Sequence, residues 1–448
     1  MTSRPNILLF HCHDLGRHLG CYGIPTVHSP NIDRLAHEGV LFSSSFCVAP
    51  QCSPSRAAMF TGRYPHSNGV LGLTHERFAW ELNRDELHLA QLLQDAGYRT
   101  ASLGVVHETQ RNPSDWGYEL RYEARESAAT ATRICDETIE LLRRFTNHRD
   151  TPFFICAGAY EPHRLFATDE SDYMGFVGNE IEPDSDRGVY VPPYLRTDPG
   201  TITELAELQG AIRYLDRQFG RVLQAIDQLG LRDNTLVVFT TDHGIAMPRA
   251  KCSCYDPGLE IAFILRLPSR NGWHGGRTVH ELVPNIDLAP SLCELIGAEV
   301  PETVQGRSWV PLLDGADSYE PNRVFFPELT YHDYYDPIRG IRTTDHKLLA
   351  FFSAAHSFMP PNQSWKRRSS PRQPERPPLS YHPEFELYHL LTDPWEQVNL
   401  IDDMSCADVK RTLMQRLWQH LVATDDPIIH GAITSPMHQS VVRMLGEA

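Results

Sequence analysis

Long apolar runs are missing from this sequence: no window approaches the ~20 consecutive apolar residues that a spanning helix needs, which excludes a membrane-embedded chain. No basic-then-apolar leader opens the sequence either, since Met1 to Pro5 runs straight into an apolar strand. Taken at face value this predicts a cytoplasmic protein with no membrane partner. Cysteine is sparse and irregular, ten residues in 448, which excludes a disulfide framework. Cys252 and Cys254, with one serine between them, are too close for an ordinary structural zinc pair. Positive charge is in short supply, 41 Lys and Arg against 57 Asp and Glu. The net charge of −16 argues against a nucleic-acid partner, although an acidic chain can still hold a local basic pocket for a small anionic substrate.

What is present has ordinary globular proportions, 41% apolar and 22% charged. The length fits one large α/β domain of ~300 residues with a smaller companion. Asn6 to Phe10 reads as a short buried strand that stops at a polar cluster, His11-Cys-His-Asp14. Thr235 to Phe239 is a second such strand, ending at Thr240-Thr-Asp-His-Gly244. Between them, apolar residues from Ile202 to Leu229 recur at steps of three and four and predict an amphipathic helix closed by Gly230. Further apolar runs at Phe153 to Ala157 and Ile261 to Leu265 complete the rhythm of a large, mostly parallel sheet flanked by helices. In such sheets ligands gather beyond the carboxyl ends of the strands.

After Pro337 the texture changes. Ile338 to Leu349 and Glu386 to Leu390 look like antiparallel strands and Val409 to Leu421 like a closing helix, so a catalytic domain is expected over 1–335 and a small α+β domain over 336–448. Residues 355 to 382 hold six prolines and a basic cluster, Lys366, Arg367, Arg368, Arg372 and Arg376. Such a stretch is either a solvated loop or a contact for an anionic substrate.

In Cys52-Ser-Pro-Ser-Arg56, followed by Ala57 to Gly62, Pro54 falls in a first helical turn, which puts Cys52 at a helix N-terminus where exposed N–H groups favour an anion. The bland reading of Cys52 alone is a buried structural cysteine. Its surroundings carry more. Cys52-Ser-Pro-Ser-Arg56, Thr61-Gly-Arg63 and Tyr64-Pro-His66, after Ser29-Pro-Asn-Ile-Asp33, resemble the signature of the type I sulfatases, within the alkaline-phosphatase-like superfamily. Among these the likeness is greatest to sulfamidase, the heparan N-sulfatase, through Ser53 to Arg56, Leu71-Gly-Leu-Thr74 and Pro162-His-Arg164.

The resemblance implies an alkaline-phosphatase-like fold and an enzyme that hydrolyses a sulfate ester or sulfamate, on a sugar. It implies that a formylglycine-generating enzyme oxidises Cys52 to formylglycine. The hydrated aldehyde has two oxygens on one carbon: one attacks sulfur, and loss of the proton from the other expels sulfate. It further implies one divalent ion (Mn, Ca or Mg) held by His13, Asp14, Cys52, Asp242 and His243, with Cys52, Arg56, His107, His163 and Lys251 as catalytic residues. Read singly, Asp14 and Asp242 could instead cap helices, His107 and His163 could be satisfied core histidines, and Lys251 a surface lysine.

Two departures stand out. The family's first metal position is normally aspartate and is His13 here, and the lysine two residues before the active-site histidine is Val105. The first swaps a hard anionic ligand for a neutral nitrogen and the second removes a cation. They keep two other functions open: a phosphodiester or phosphonate monoester hydrolase of the same superfamily, and a catalytically impaired relative that binds anionic sugars. Oligomeric state leaves no mark in the sequence.

Overall fold

The structure, a computed structural model, describes residues 4–75, 78–123, 129–147, 150–165, 175–176, 181–332, 334–355, 368–372 and 381–447. Lys366, Arg367 and Arg376 of the basic stretch lie outside them. Its main sheet has eight strands: β1 (Asn6–Cys12), β2 (Val40–Phe42), β3 (Arg99–Gly104), β4 (Leu120–Glu123), β5 (Phe153–Gly158), β6 (Thr235–Thr241), β7 (Phe263–Arg266) and β8 (Arg277–Val279). They lie in the order β4-β3-β5-β1-β6-β7-β2-β8. All neighbours run parallel except at β7, which is antiparallel to both β6 and β2.

Alternation along each strand sends side chains to two separate cores, as a sheet covered on both faces requires. Leu8 and Phe10 pack with Val237 and Phe239 under helices α1 (Pro30–Glu38), α3 (Ala131–Phe145) and α4 (Pro199–Gln228). Ile7 and Leu9 pack with Leu236 and Val238 under α5 (Leu288–Ile296) and under Met59 and Phe60 of α2 (Cys52–Thr61). The helix expected over 202–229 is thus present with one added turn at its start, where Asp198 caps the chain by accepting from the Thr201 N–H.

A second sheet is antiparallel throughout and takes its strands from Val324–Phe325, Glu328–Tyr331, Tyr335–Thr343, His346–Phe351 and Phe385–His389. Its first two strands precede residue 336. The run expected as one strand from Ile338 folds as a hairpin, turned at Asp345, whose carboxylate accepts from the Thr343 hydroxyl. One face carries helix Ala407–Ala423 through Leu413, Leu417 and Leu421. No described helix is long and apolar enough to cross a membrane. All ten cysteines are free thiols.

Candidate active site

Parallel pairing of β1 and β6 sets Cys12 opposite Thr241, so the residues just beyond them, His13-Asp14 and Asp242-His243, emerge side by side at the carboxyl edge. The backbone of Asp14 is left-handed (φ 52°), unusual for a residue with a Cβ, and its N–H donates to Asp242 Oδ1 at 3.0 Å. From the far side α2 begins at Cys52, whose Sγ is 3.3 Å from His243 Nε2.

His243 is the point of convergence. Its Nδ1 lies 2.9 Å from the Gly244 carbonyl, an acceptor only, so Nδ1 carries the hydrogen and, in the neutral ring, Nε2 is bare. Burial holds the imidazole below its ordinary value despite Asp242 and Asp14, which favours that neutral ring. Around the bare nitrogen stand Asp14 Oδ1 at 3.2 Å, Asp242 Oδ1 at 3.6 Å and Cys52 Sγ. The thiol can donate a hydrogen to it; the carboxylates cannot. Two carboxylate oxygens facing a lone pair in a buried site repel unless a cation lies among them. Asp14, Cys52, Asp242 and His243 offer ligand atoms within 4.8 Å of one another, and this oxygen and nitrogen set suits a hard or borderline divalent ion. The residues therefore fit a metal.

His13 stands beside this quartet. Its Nδ1 is 3.1 Å from Asp242 Oδ2, and it joins Asp14 and Cys52 in a second set that closes with His163. Burial, then Arg56, lowers its pKa to about 3, so the ring is neutral. Burial pushes the Cys52 thiol up, with Lys251 opposing, so the encoded side chain is S–H, a weak nucleophile.

Fixed cations hold the carboxylates, one to each. Lys251 Nζ donates to both oxygens of Asp14, at 2.8 and 3.0 Å, and sits 3.3 Å from His163 Nε2. Burial alone would raise the Asp14 pKa, but Lys251, His163 and His243 outweigh it and hold the carboxylate ionised. The His163 side chain, at 20% exposure, is the one member of this constellation open to solvent. Arg56, fully buried one helical turn beyond Cys52, places Nη2 3.3 Å from Asp242 Oδ2 and Nη1 2.7 Å from His11 Nδ1. His107 reaches the site by its edge-on contact with His13, and its Nε2 lies 2.6 Å from His75 Nε2. Val105 packs in the core beneath α3. Arg368, from the basic stretch, is anchored on α4 by Glu204 and Glu207.

His75 escaped the sequence reading, and His11 was named there only as part of the polar cluster that ends the first strand, without a role. Alternation would have found that role: Ile7, Leu9 and His11 share the face that α2 covers, where Arg56 waits. Nothing local marks His75, which meets His107 only through the fold.

The family described as Sulfatase matches residues 5–298, and the chain belongs to it, a family of sulfuric ester hydrolases. The family described as N-sulphoglucosamine sulphohydrolase, C-terminal, matches residues 249–359. An ulvan-active sulfatase of Formosa agariphila is 26% identical over 98% of this chain and 84% of its own. The human N-sulphoglucosamine sulphohydrolase is 26% identical over 95% of this chain and 91% of its own. Among solved structures, one in complex with its substrate D-glucosamine-2-N,6-O-disulfate has the same fold, with a TM-score of 0.72 at 20% identity, over 95% of this chain and 99% of that one.

Proposed function

We propose that the protein hydrolyses a sulfate ester or sulfamate on a sugar, at Cys52. The observation that carries this is the convergence of Cys52, Asp14 and Asp242 on the bare Nε2 of His243 at the head of α2. The printed activities of the two relatives, on ulvan and on N-sulphoglucosamine, support a sulfated sugar as substrate. Formylglycine made from Cys52 by a formylglycine-generating enzyme supplies two oxygens on one carbon, and a divalent ion held by Asp14, Asp242 and His243 supplies the positive charge an anionic substrate needs.

The chain's own residues do the rest. Lys251, ionised and held by Asp14, presents a fixed ammonium to a substrate oxygen. His163 donates from Nδ1 to the Arg164 carbonyl at 2.7 Å, so its Nε2 accepts from the Lys251 ammonium, and this partly exposed pair is placed to give a leaving oxygen or nitrogen its proton. Arg56 braces Asp242 from behind and adds charge without competing for solvent. The His107 and His75 pair holds one hydrogen between two nitrogens beside His13.

The test is the mass of the Cys52 peptide after co-expression with a formylglycine-generating enzyme, paired with sulfate release from N-sulfated and O-sulfated glucosamine. Conversion of Cys52 together with release from at least one sugar is expected. Full turnover with an unmodified thiol would overturn the mechanism, and hydrolysis of a phosphonate monoester with no sulfate released from either sugar would overturn the substrate class.

A further inference from the structure

A cavity of about 770 Å³ opens at the junction between the main sheet's helices and helix Ala407–Ala423, away from Cys52. Tyr64, in its wall, follows the far end of α2, and ten helical residues span about 15 Å. Three arginines from three separate segments line it: Arg307 from a loop, Arg323 from the approach to the second sheet, and Arg416 from the long C-terminal helix. Among the described residues none of the three has a carboxylate in ion-pair reach, whereas Arg232, Arg266, Arg270, Arg339 and Arg342 all do.

The other charges of this cavity do little to cancel the three. Glu320 adds one carboxylate. Asp287 is buried at the base, its oxygens taken by the Asn322 amide and the Arg307 N–H at 2.7 Å each, and burial raises its pKa to about 8, so it is largely neutral at pH 7. His420, stacked on Phe326 with ring centres 3.7 Å apart, is neutral as well, burial having lowered it to about 3. Arg307 and Arg323 are exposed and Arg416 is half-buried, so a chain of net charge −16 here gathers three solvent-reachable guanidinium groups on one concave wall. Planar guanidinium forks match the oxygens of tetrahedral anions.

We propose that this cavity is a second anion site, separate from the catalytic centre, that takes sulfate or phosphate groups, either free or carried on a sugar chain. A bound anion would tie the loop at Arg307 to the helix at Arg416, and so fasten the second sheet's helix to the catalytic domain.

The test is calorimetric titration of the full chain at fixed ionic strength with sodium sulfate and, separately, with a heparin hexasaccharide. Wild type is compared with R307Q/R323Q/R416Q and, should the triple variant unfold, with R416Q alone. If the anion is free, wild type takes up one more sulfate per chain than the triple variant. If it is borne on sugar, hexasaccharide affinity falls ~10-fold for each arginine removed, the equivalent of one charge-assisted hydrogen bond. Turnover of a small aryl sulfate stays at the wild-type rate in either variant. Equal stoichiometry and equal affinity for both probes in wild type and variants overturns the proposal.

Discussion

Two buried clusters in this chain are built from the same parts. At the strand ends, Asp14 and Asp242 face His243; at the junction with the second sheet, Glu328 and Asp426 face His66. In the junction cluster a cation sits within. Arg339 grips Asp426 through Nε and Nη2, at 2.5 and 3.1 Å, and reaches Glu328 at 3.3 Å, while His66 Nδ1 lies 2.6 Å from Glu328. At the strand ends each cation serves one carboxylate, Lys251 on Asp14 and Arg56 on Asp242, and among the described residues neither bridges the two, so Asp14 Oδ1 and Asp242 Oδ1 still face a bare nitrogen. One cluster is complete as a clamp between sheet and domain. The other leaves its carboxylates unbridged, which fits the divalent ion proposed above. The residue types alone do not separate structure from function; the position of the resident cation does.

Breaking each cluster should therefore break a different property. The largest effect is expected for Cys52→Ala, which removes the proposed nucleophile and leaves the surrounding charges in place: a loss of at least ~10³ in kcat on an aryl sulfate, with thermal stability near wild type. Near-normal turnover in that variant would remove the assignment.

Arg339→Met should do the reverse. It strands two buried carboxylates, and urea unfolding should show a loss of ~3–5 kcal/mol, with kcat barely altered below the transition. A variant as stable as wild type would mean that the junction is no clamp.

The strand-end half of this contrast was legible in the sequence. Apolar runs ending at His13-Asp14 and Asp242-His243, and a proline placed to start a helix at Cys52, name most of the centre because each feature is local. The junction cluster was not legible, because His66, Glu328, Arg339 and Asp426 come from four distant segments and carry no shared motif. The same limit hid His75, while the hairpin at Asp345 was lost because apolar residues continue on both sides of its turn.

A smaller effect concerns His13, which sharpens the contrast within the centre itself. Nitrogen ligands move preference from Ca²⁺ towards Mn²⁺. After chelation and reconstitution, wild type should turn over several-fold faster with Mn²⁺ than with Ca²⁺, roughly the effect of one supporting ligand contact. His13→Ala should erase the difference. Equal rates with both ions in wild type would show that His13 is no ligand.

The last expected effect is a slope that appears only in acid. His420, beside the junction cluster, titrates at about 3 when folded, well below the ordinary 6.5. Below pH 6.5 the unfolded chain therefore binds a proton that the folded one refuses, so this stability is full above pH ~6.5 and lost as pH falls towards 3. His420→Phe, which keeps the stack on Phe326, should flatten the acid limb of stability against pH. An unchanged limb would place the acid sensitivity elsewhere.

The central claim, that the strand-end cluster is open for a cation and the junction cluster closed, is tested most directly by metal content. Elemental analysis after dialysis should find about one divalent ion per chain in wild type and in Glu328→Gln, and well under half of that in Asp242→Asn, a loss of at least ~10-fold in affinity for a removed charged ligand. Metal retained in Asp242→Asn, or lost in Glu328→Gln with the fold intact, would contradict it.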